Sequence, residues 1–427
     1  MLHKGIYKIG VKLRSPELNA AYDFLKQSEG WSLKKLEEYQ FNSLKRIINI
    51  AYGQSEFYKE LFDKAGITPE DIRDLNDIVK IPCITKVDIL KNIESIQNID
   101  GYRRLFLSET SGSTGEPLTF YRNSEWDARH RAAQLRGYSW YGLNPWDRSG
   151  YFWGYSFSIS RTIKTKLLDF LLNRFRLFSY SESEIKRFAG KLKRAKYLEG
   201  YSSMIYEVAK TVNMNRLGPF NLIMVKGTSE KIYDVYQEET KKAFGKKIVS
   251  EYGSAETGIV AFECTQGNMH VVMENVIVEE VEGEAIITNL VSDSFPIIRY
   301  KLGDSIALDN ESICSCGMKH KIIKDVIGRI GEIIYGKNSK YPSLTIYYIF
   351  KNLALKYGTI IYYQAIQKQK GKLEILLDRH IPDFTEKHLK EECKKYFSDD
   401  MVVEIYQNSL KRTFDKKYKD FISEIDV

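Results

Sequence analysis

Residues Ser108, Glu109, Thr110, Ser111, Gly112, Ser113, Thr114, Gly115, Glu116 and Pro117 pack hydroxyls and glycines between two apolar-tinged segments. Gly112 and Gly115 permit positive φ and close backbone approach, while Thr110, Ser111, Ser113 and Thr114 supply hydroxyl donors beside backbone N–H groups. Such a turn can form a nest for phosphate oxygens, or be a plain solvated loop. It is not the lysine-containing nucleotide loop, because no G-x-x-x-x-G-K-[ST] is present and no predicted helix follows at once. Cys264, His270, Cys314 and Cys316 form a second group: a C-x-C pair plus a distant Cys and His is a tetrahedral set of three sulfurs and one nitrogen, suited to Zn2+. Four protein ligands would leave no open position for water, so its role would be structural. His320 is an alternative to His270, and ordinary thiols are the plain alternative. Glu256 offers the hard carboxylate oxygen that Mg2+ prefers. Asp304 follows a Gly turn at the predicted end of an apolar strand, placed to accept from both hydroxyls of a ribose.

These side chains need a frame. Residues 104–107 and 118–121 read as short strands on either side of the hydroxyl-rich turn. Apolar residues recur at helical spacing between 18 and 65 (Leu33, Leu36, Leu44, Ile47, Ile48, Ala51), which predicts a helical opening. Thr68-Pro69-Glu70-Asp71 and Thr85-Lys86-Val87-Asp88 read as capped helix starts. A compact strand at 222–225 ends in Lys226, Gly227, Thr228, Ser229 and Glu230. A helix at 232–244 follows, and a strand at 247–250 delivers Glu251, Tyr252, Gly253, Ser254, Ala255, Glu256 and Thr257. This alternation predicts a parallel α/β sheet with ligands beyond the carboxyl ends of its strands. Strands at 271–281 and 284–288 flank the thiol segments, and a hairpin-like sheet would bring their two halves together. The amphipathic stretch 163–178 is predicted to bury a helix face against the core, a membrane-surface helix being the alternative. After Arg329, short segments at 346–353, 359–366, 372–377, 386–397 and 402–406 suit a small α+β domain.

Taken in order, the motifs resemble those of the adenylate-forming superfamily, most closely its phenylacetate-coenzyme A ligase branch, which includes members named for capsular polysaccharide biosynthesis. Thr110 to Pro117 is similar to the phosphate-binding loop of that family. Tyr252-Gly253-Ser254-Ala255-Glu256 resembles its Tyr-Gly-x-x-Glu, and Arg299-Tyr300-Lys301-Leu302-Gly303-Asp304 its Arg-Tyr-x-x-Gly-Asp. Gly328-Arg329-Ile330-Gly331-Glu332 resembles its hinge, and Arg412 to Lys419 its Arg-Thr-x-x-Gly-Lys tail. The resemblance spans nearly the whole chain. It implies an α/β fold: a large N-terminal adenylate-forming domain (1–330) with mixed or parallel sheets, then a small mobile C-terminal α+β domain (331–427). Within the first lie a helical leader (about 1–100) and a zinc subsite (about 260–320).

The resemblance also implies an ATP/AMP site. Thr110, Ser111, Gly112, Ser113, Thr114 and Gly115 would hold phosphates, and Gly227, Thr228 and Ser229 would lie beside adenine. Glu251, Tyr252, Gly253 and Ser254 would border the base, with Tyr252 stacking on it; Asp304 would take the ribose, and Arg329 would approach the nucleotide. Glu256 would hold Mg2+, and Lys417 would reach the substrate carboxylate and α-phosphate. Phe152, Trp153 and Tyr155 are candidates for an acyl pocket. Two departures stand out: Gly331 replaces the usual hinge Asp, and Lys416 fills the Gly place before Lys417, leaving either lysine as the working one.

The 427 residues suffice for more than one domain, and 43% hydrophobic with 28% charged residues is an ordinary globular balance. The net charge of +8 is spread along the chain, and no nucleic-acid-binding module accompanies it. No run reaches the roughly 18 apolar residues of a membrane span, and residues 1–15 lack the apolar core of a signal peptide. The five cysteines are an odd set that argues against a disulfide framework. Together with these bounds, the resemblance implies a cytoplasmic, ATP-dependent, AMP-forming carboxylate ligase, acting on a small carboxylic acid and passing the acyl group to coenzyme A. Transfer to a sugar amine or hydroxyl, and a non-catalytic nucleotide-binding scaffold stabilised by zinc, are the alternatives; a homodimer is left open.

Overall fold

The computed structural model describes residues 2–110, 118–152, 159–177, 182–229, 232, 234–309, 312–329, 333–357, 361, 363–410 and 421–425. The chain divides into two compact units, one comprising Met1–Thr110, Thr119–Phe178 and Glu182–Ile327, the other centred on Gly328–Val427.

The first unit opens with helices Leu2–Arg14, Leu18–Ser28, Leu33–Gln54 and Glu56–Ala65. Residues 2–14, read from the sequence only as lacking the apolar core of a signal peptide, are thus helical. Ser32 and Ser55 cap the next helices by accepting from the Lys35 and Tyr58 backbone N–H groups, both at 3.3 Å. Thr85 and Asp88 form the capping box that opens Lys86–Lys91. The similar start at Thr68 yields only the single 3-10 turn Pro69–Asp71. A two-stranded hairpin follows, β1 (Leu105–Glu109) antiparallel to β2 (Thr119–Asn123), with Glu109 opposite Thr119.

The main sheet then builds up from β3 (Ser149–Tyr151), β4 (Arg174–Arg176), β5 (Tyr197–Tyr201), β6 (Met224–Thr228) and β7 (Ile248–Ser254). It continues through β8 (Gly258–Glu263), β9 (Met269–Val271), β10 (Val276–Val281), β11 (Glu284–Asn289), β12 (Tyr300–Asp309) and β13 (Ile322–Arg329). Their spatial order is β10-β11-β12-β13-β9-β8-β7-β6-β5-β3-β4. Strands β3 to β7 pair in parallel, because helices Ile159–Leu171, Glu182–Leu192, Ser202–Met214 and Asp234–Phe244 carry the chain back between them. From β7 to β13 no helix intervenes among the described residues, and β7/β8, β8/β9, β9/β13, β10/β11 and β11/β12 are antiparallel. The parallel sheet read from the sequence is therefore one half of a mixed sheet.

Long-range bonds fix the leader to this sheet. Ile84 bridges Tyr300, its N–H donating to the Arg299 carbonyl at 3.1 Å while Lys301 N–H donates back at 2.8 Å. Buried Tyr58 donates its hydroxyl to the Pro296 carbonyl and accepts from Ile298 N–H, each at 3.0 Å. Arg299, in the left-handed region at φ 46°, sends its guanidinium to Glu279 and to the carbonyls of Val79 and Ile81. The arginine of the Arg-Tyr motif is thereby a clamp between strand and leader.

The predicted burial of the apolar stripe at 163–178 is overturned for its helical part. Ile163, Leu167, Leu168 and Phe170 are exposed on helix Ile159–Leu171. The inward side holds Asp169, which pairs with Arg174 and Arg176. An amphipathic period states that a helix has two faces, and here the buried one is built on an ion pair.

The second unit holds a hairpin, β14 (Ile333–Tyr335) with β15 (Lys340–Pro342), and a sheet of β16 (Tyr363–Gln369), β17 (Lys372–Leu377), β18 (Val402–Tyr406) and β19 (Phe421–Ser423). Its order is β18-β17-β16-β19, antiparallel only between β16 and β17. Helices Leu344–Tyr357 and Asp383–Phe397 supply Ile346, Ile349, Leu353, Leu389 and Phe397 to a core with Leu373 and Ile375 of the sheet. Together the units form an α/β fold with a large mixed sheet in one and a small α+β arrangement in the other. Among the described residues no helix is long and apolar enough to cross a membrane.

Candidate functional site

The candidate nucleotide residues collect at β6, β7 and β12. Gly227 and Thr228 close β6, and Ser229 beyond them sits at φ 64°. A non-glycine residue held there costs on the order of 1 kcal/mol or more, strain that accumulates at sites of function. On β7, the close pairing with β8 demands glycine after Tyr252, because a Cβ on Gly253 would run into the Gly258 carbonyl oxygen. Ser254 ties off the same turn by accepting from Thr257 N–H at 3.2 Å. On β12 the register slips against β11 between Glu284 and Ile286. Gly303 takes φ 78° at that irregularity. Asp304 therefore lies inside a strand, at a bulge, rather than at a strand end. The sequence pattern Leu-Gly-Asp reads equally as a turn or a bulge, and only the pairing with β11 decides.

Two of these residues meet directly. The Tyr252 hydroxyl donates to Asp304 Oδ2 at 3.0 Å. Tyr252 is 8% exposed and packs with Val260, Ala261 and Ile287, so only a small area of its ring is open. Glu256 is buried; its carboxylate accepts from the Tyr300 hydroxyl at 3.4 Å, and Tyr300 is the first residue of β12. The Asn289 amide donates to the carbonyls of Glu256 and Thr257, both at 3.3 Å, which fixes the turn that carries the acid. Among the described residues no Lys or Arg pairs with the Glu256 carboxylate.

Glu251, by contrast, is committed beneath the site. Its carboxylate accepts from Lys226 at 2.9 Å and from Gln134 at 3.5 Å. Glu199 lies 3.3 Å from the same lysine and accepts from the Tyr138 hydroxyl. Burial opposes the charge on Lys226, but Glu251 and Glu199 outweigh it and raise its pKa. Burial, with the Glu199 charge, also holds the Tyr138 phenol protonated far above its usual range. His130, buried beside Arg122, Lys226 and Arg131, is pushed down to about 3. Sequence reasoning missed Lys226, Glu199 and Tyr138 as a network. The available signal was a lysine in the apolar run 222–226, since a buried ammonium must be paired.

The four metal-type ligands converge. Cys264 leaves β8, His270 lies on β9, and Cys314 and Cys316 precede β13, whose Ile322 pairs with His270. All four ligand atoms lie within 4.8 Å of one another. Cys264 Sγ is 3.7 Å from Cys314 Sγ, and Cys316 Sγ is 3.3 Å from His270 Nε2. Thiolates about 2.3 Å from a tetrahedral metal would stand about 3.8 Å apart, so the spacing fits such a centre. His270 Nδ1 donates to the His320 carbonyl at 3.3 Å, and because a carbonyl only accepts, the free lone pair belongs to Nε2. His320 contributes this carbonyl, while its ring turns to Glu274 at 2.9 Å.

Glu274 is fully buried and also binds the Arg136 guanidinium, at 2.7 and 3.3 Å, and the Ser28 hydroxyl. Burial alone would raise its pKa, but Arg136 and His320 hold it well below the usual carboxylate range. A depressed carboxylate contributes stability that is complete above the ordinary glutamate pKa and is lost as pH falls. Glu274→Gln is expected to cost about 3–5 kcal/mol in denaturant unfolding at neutral pH, because it strands a buried guanidinium. The loss shrinks as pH falls below the glutamate range; a cost under 1 kcal/mol, checked by the same titration, would show the pair to be dispensable.

Thr110 is half-buried just beyond β1. Ser111, Gly112, Ser113, Thr114, Gly115, Trp153, Tyr155, Glu230, Gly331, Glu332, Lys416 and Lys417 lie outside the described residues. Arg329 is described as the last backbone position of β13 only. Phe152 is fully buried and tilts against Phe188.

This fold is shared with a solved coenzyme A ligase. 2-Hydroxyisobutyryl-CoA ligase, solved in an open conformation with 2-HIB-AMP and CoA, superposes with a TM-score of 0.60 at 17% identity, over 93% of each chain. The curated relatives point to the branch that the motifs resemble. Protein CapK of Staphylococcus aureus is 27% identical over 322 residues, 71% of this chain and 70% of that one. Phenylacetate-coenzyme A ligase of Thermus thermophilus is 23% identical over 431 residues, 91% of this chain and 90% of that one. No family model matches the chain.

Proposed function

We propose that this chain is an AMP-forming acyl-coenzyme A ligase. The observation that carries the reading is the meeting of Tyr252 and Asp304 from separate strands, with Glu256 reaching β12 through Tyr300. In this reading Asp304 accepts from the ribose hydroxyls once Tyr252 shares it. Tyr252, Gly227, Thr228 and Ser229, with the backbone of Glu251, Gly253 and Ser254, border the base. Thr110, Ser111, Gly112, Ser113, Thr114 and Gly115 take the phosphates, and Arg329 belongs to the nucleotide side. The Glu256 carboxylate, with one neutral donor and no cationic partner among the described residues, suits Mg2+. When bound, that ion neutralises phosphate charge.

The substrate carboxylate is ionised at neutral pH and needs no general base. Its oxygen attacks the α-phosphorus of ATP and pyrophosphate leaves. The coenzyme A thiolate then attacks the acyl carbon and AMP leaves with the bonding pair. Positioning and charge neutralisation supply most of the acceleration. On the sequence register Lys417, or Lys416 beside it, meets the substrate carboxylate. Cys264, His270, Cys314 and Cys316 hold Zn2+ as a structural ion, and the supply of ATP and coenzyme A sets the reaction in the cytoplasm.

The test is exchange of labelled pyrophosphate into ATP across a panel of small carboxylic acids, followed by mass analysis after coenzyme A is added. Acid-dependent exchange and an acyl thioester are expected. Exchange without a thioester would move the acceptor to a sugar amine or hydroxyl. Absence of exchange from folded, ATP-binding protein with every acid would leave the scaffold reading.

A further inference from the structure

Two helices of the first unit turn apolar side chains outward on the same surface. In Leu2–Arg14, Val11 is buried and Tyr7 packs inward with Leu18 and Leu25. Leu2, Ile9 and Leu13, on the opposite side of the helix, are 66%, 63% and 71% exposed. Among the described side chains of Ile159–Leu171 the buried one is Asp169, and Ile163, Leu167 and Phe170 on the reverse are 64%, 59% and 64% exposed. The helices touch one another: the His3 ring meets Phe170 edge-on at 6.0 Å, and His3 Nδ1 lies 3.3 Å from the Leu171 carbonyl. The two stripes therefore adjoin.

Charge says what covers them. Lys4, Lys8, Lys12 and Arg14 are exposed on the first helix, and Lys164 and Lys166 on the second. The first helix has no acidic residue, and the single acid of the second is Asp169, buried against Arg174 and Arg176. A neutral apolar partner would account for the leucines but not for the run of cations. A second copy docked through the same face would set these cations against themselves. An anionic bilayer surface answers both features, taking apolar side chains into the headgroup boundary and cations onto the phosphates. Each helix has 13 residues, too short to span the hydrocarbon and suited to lying in the interface plane.

We infer that the paired helices Leu2–Arg14 and Ile159–Leu171 form a docking face for an anionic lipid surface. The inference is independent of the ligase reading. The test is co-sedimentation of the full chain with phosphatidylcholine vesicles, with and without phosphatidylglycerol. Binding is expected only to the anionic vesicles and weakens with added salt. Lys8→Gln with Lys12→Gln should weaken it about 25-fold, at about fivefold for each basic side chain near the surface. Leu13→Ser, Leu167→Ser and Phe170→Ser together, all at exposed positions and checked by circular dichroism, should weaken it at least about tenfold. Failure to sediment with anionic vesicles, or equal binding by both variants, overturns the inference. So does a stable dimer, seen by light scattering, that the triple-serine variant dissociates, because the face would then belong to a second copy.

Discussion

Glu256→Gln folds as the parent does and lowers carboxylate-dependent pyrophosphate exchange by about 10²- to 10³-fold, the scale on which removal of one transition-state stabiliser acts. The substitution separates charge from shape. A glutamine oxygen still accepts from the Tyr300 hydroxyl, the side-chain volume is kept, and the Asn289 bonds that hold the turn go to backbone carbonyls. What disappears is the anionic oxygen, and with it the preference for a hard divalent cation. The loss should appear in kcat together with a higher Mg2+ requirement, while the thermal midpoint stays within about 1 °C, since a change of 1 kcal/mol would move it by a few degrees. A variant with the parent rate would place the metal elsewhere and remove Glu256 from the site.

The second large effect is expected from the Cys/His cluster. The purified protein should carry one equivalent of zinc, and Cys314→Ser should lose it. Cys314 is the hub: its sulfur lies 3.7 Å from Cys264, accepts from the Asn268 amide at 3.1 Å and from Cys316 N–H at 3.5 Å. Without metal, burial pushes the Cys264 thiol up and the Cys316 thiol to about 12, so at neutral pH the pocket would keep two protonated sulfurs packed together. An ion present at about 100-fold its dissociation constant adds about 2.7 kcal/mol, or on the order of 5 °C in the unfolding midpoint of a unit this size. Chelation should therefore lower the midpoint by that amount and zinc should restore it. Stability indifferent to chelator, with no metal found by mass spectrometry, would leave the four side chains as ordinary core.

The parts of this architecture that the sequence made legible are those with local causes. Lys372–Leu377 and Val402–Tyr406 are strands at the bounds read from the sequence, and in the first of them burial alternates residue by residue. The capping box of Thr85 and Asp88 starts its helix as its spacing requires. Tyr252, Glu256 and Asp304 were legible as candidates because they stand in short motifs, Tyr-Gly-x-x-Glu and Arg-Tyr-x-x-Gly-Asp, that can be read without knowing their partners. The remainder depends on partners far along the chain. Nothing near Asp304 states that Gly303 sits in a bulge against β11, and nothing near Lys226 names Glu199 and Glu251 as its counter-charges. The outward stripe of Ile159–Leu171 has the period of a core helix, and period alone cannot say which side meets solvent.

The bonds that fasten the leader have a consequence for synthesis. Ser28 waits for Glu274, Gln40 for the Val276 carbonyl and Tyr58 for the Pro296 carbonyl, across separations of 246, 236 and 238 residues. At a ribosomal pace of about 5–20 residues per second, the early helices spend on the order of 10–50 s without the surface that covers them. Leu36, Leu44, Ile47 and Phe62 are all fully covered in the finished fold, so in the nascent chain apolar surface of the early helices stays open to water until β12 has emerged. Slow codons placed after Lys301 would help it less than rapid passage through the stretch before.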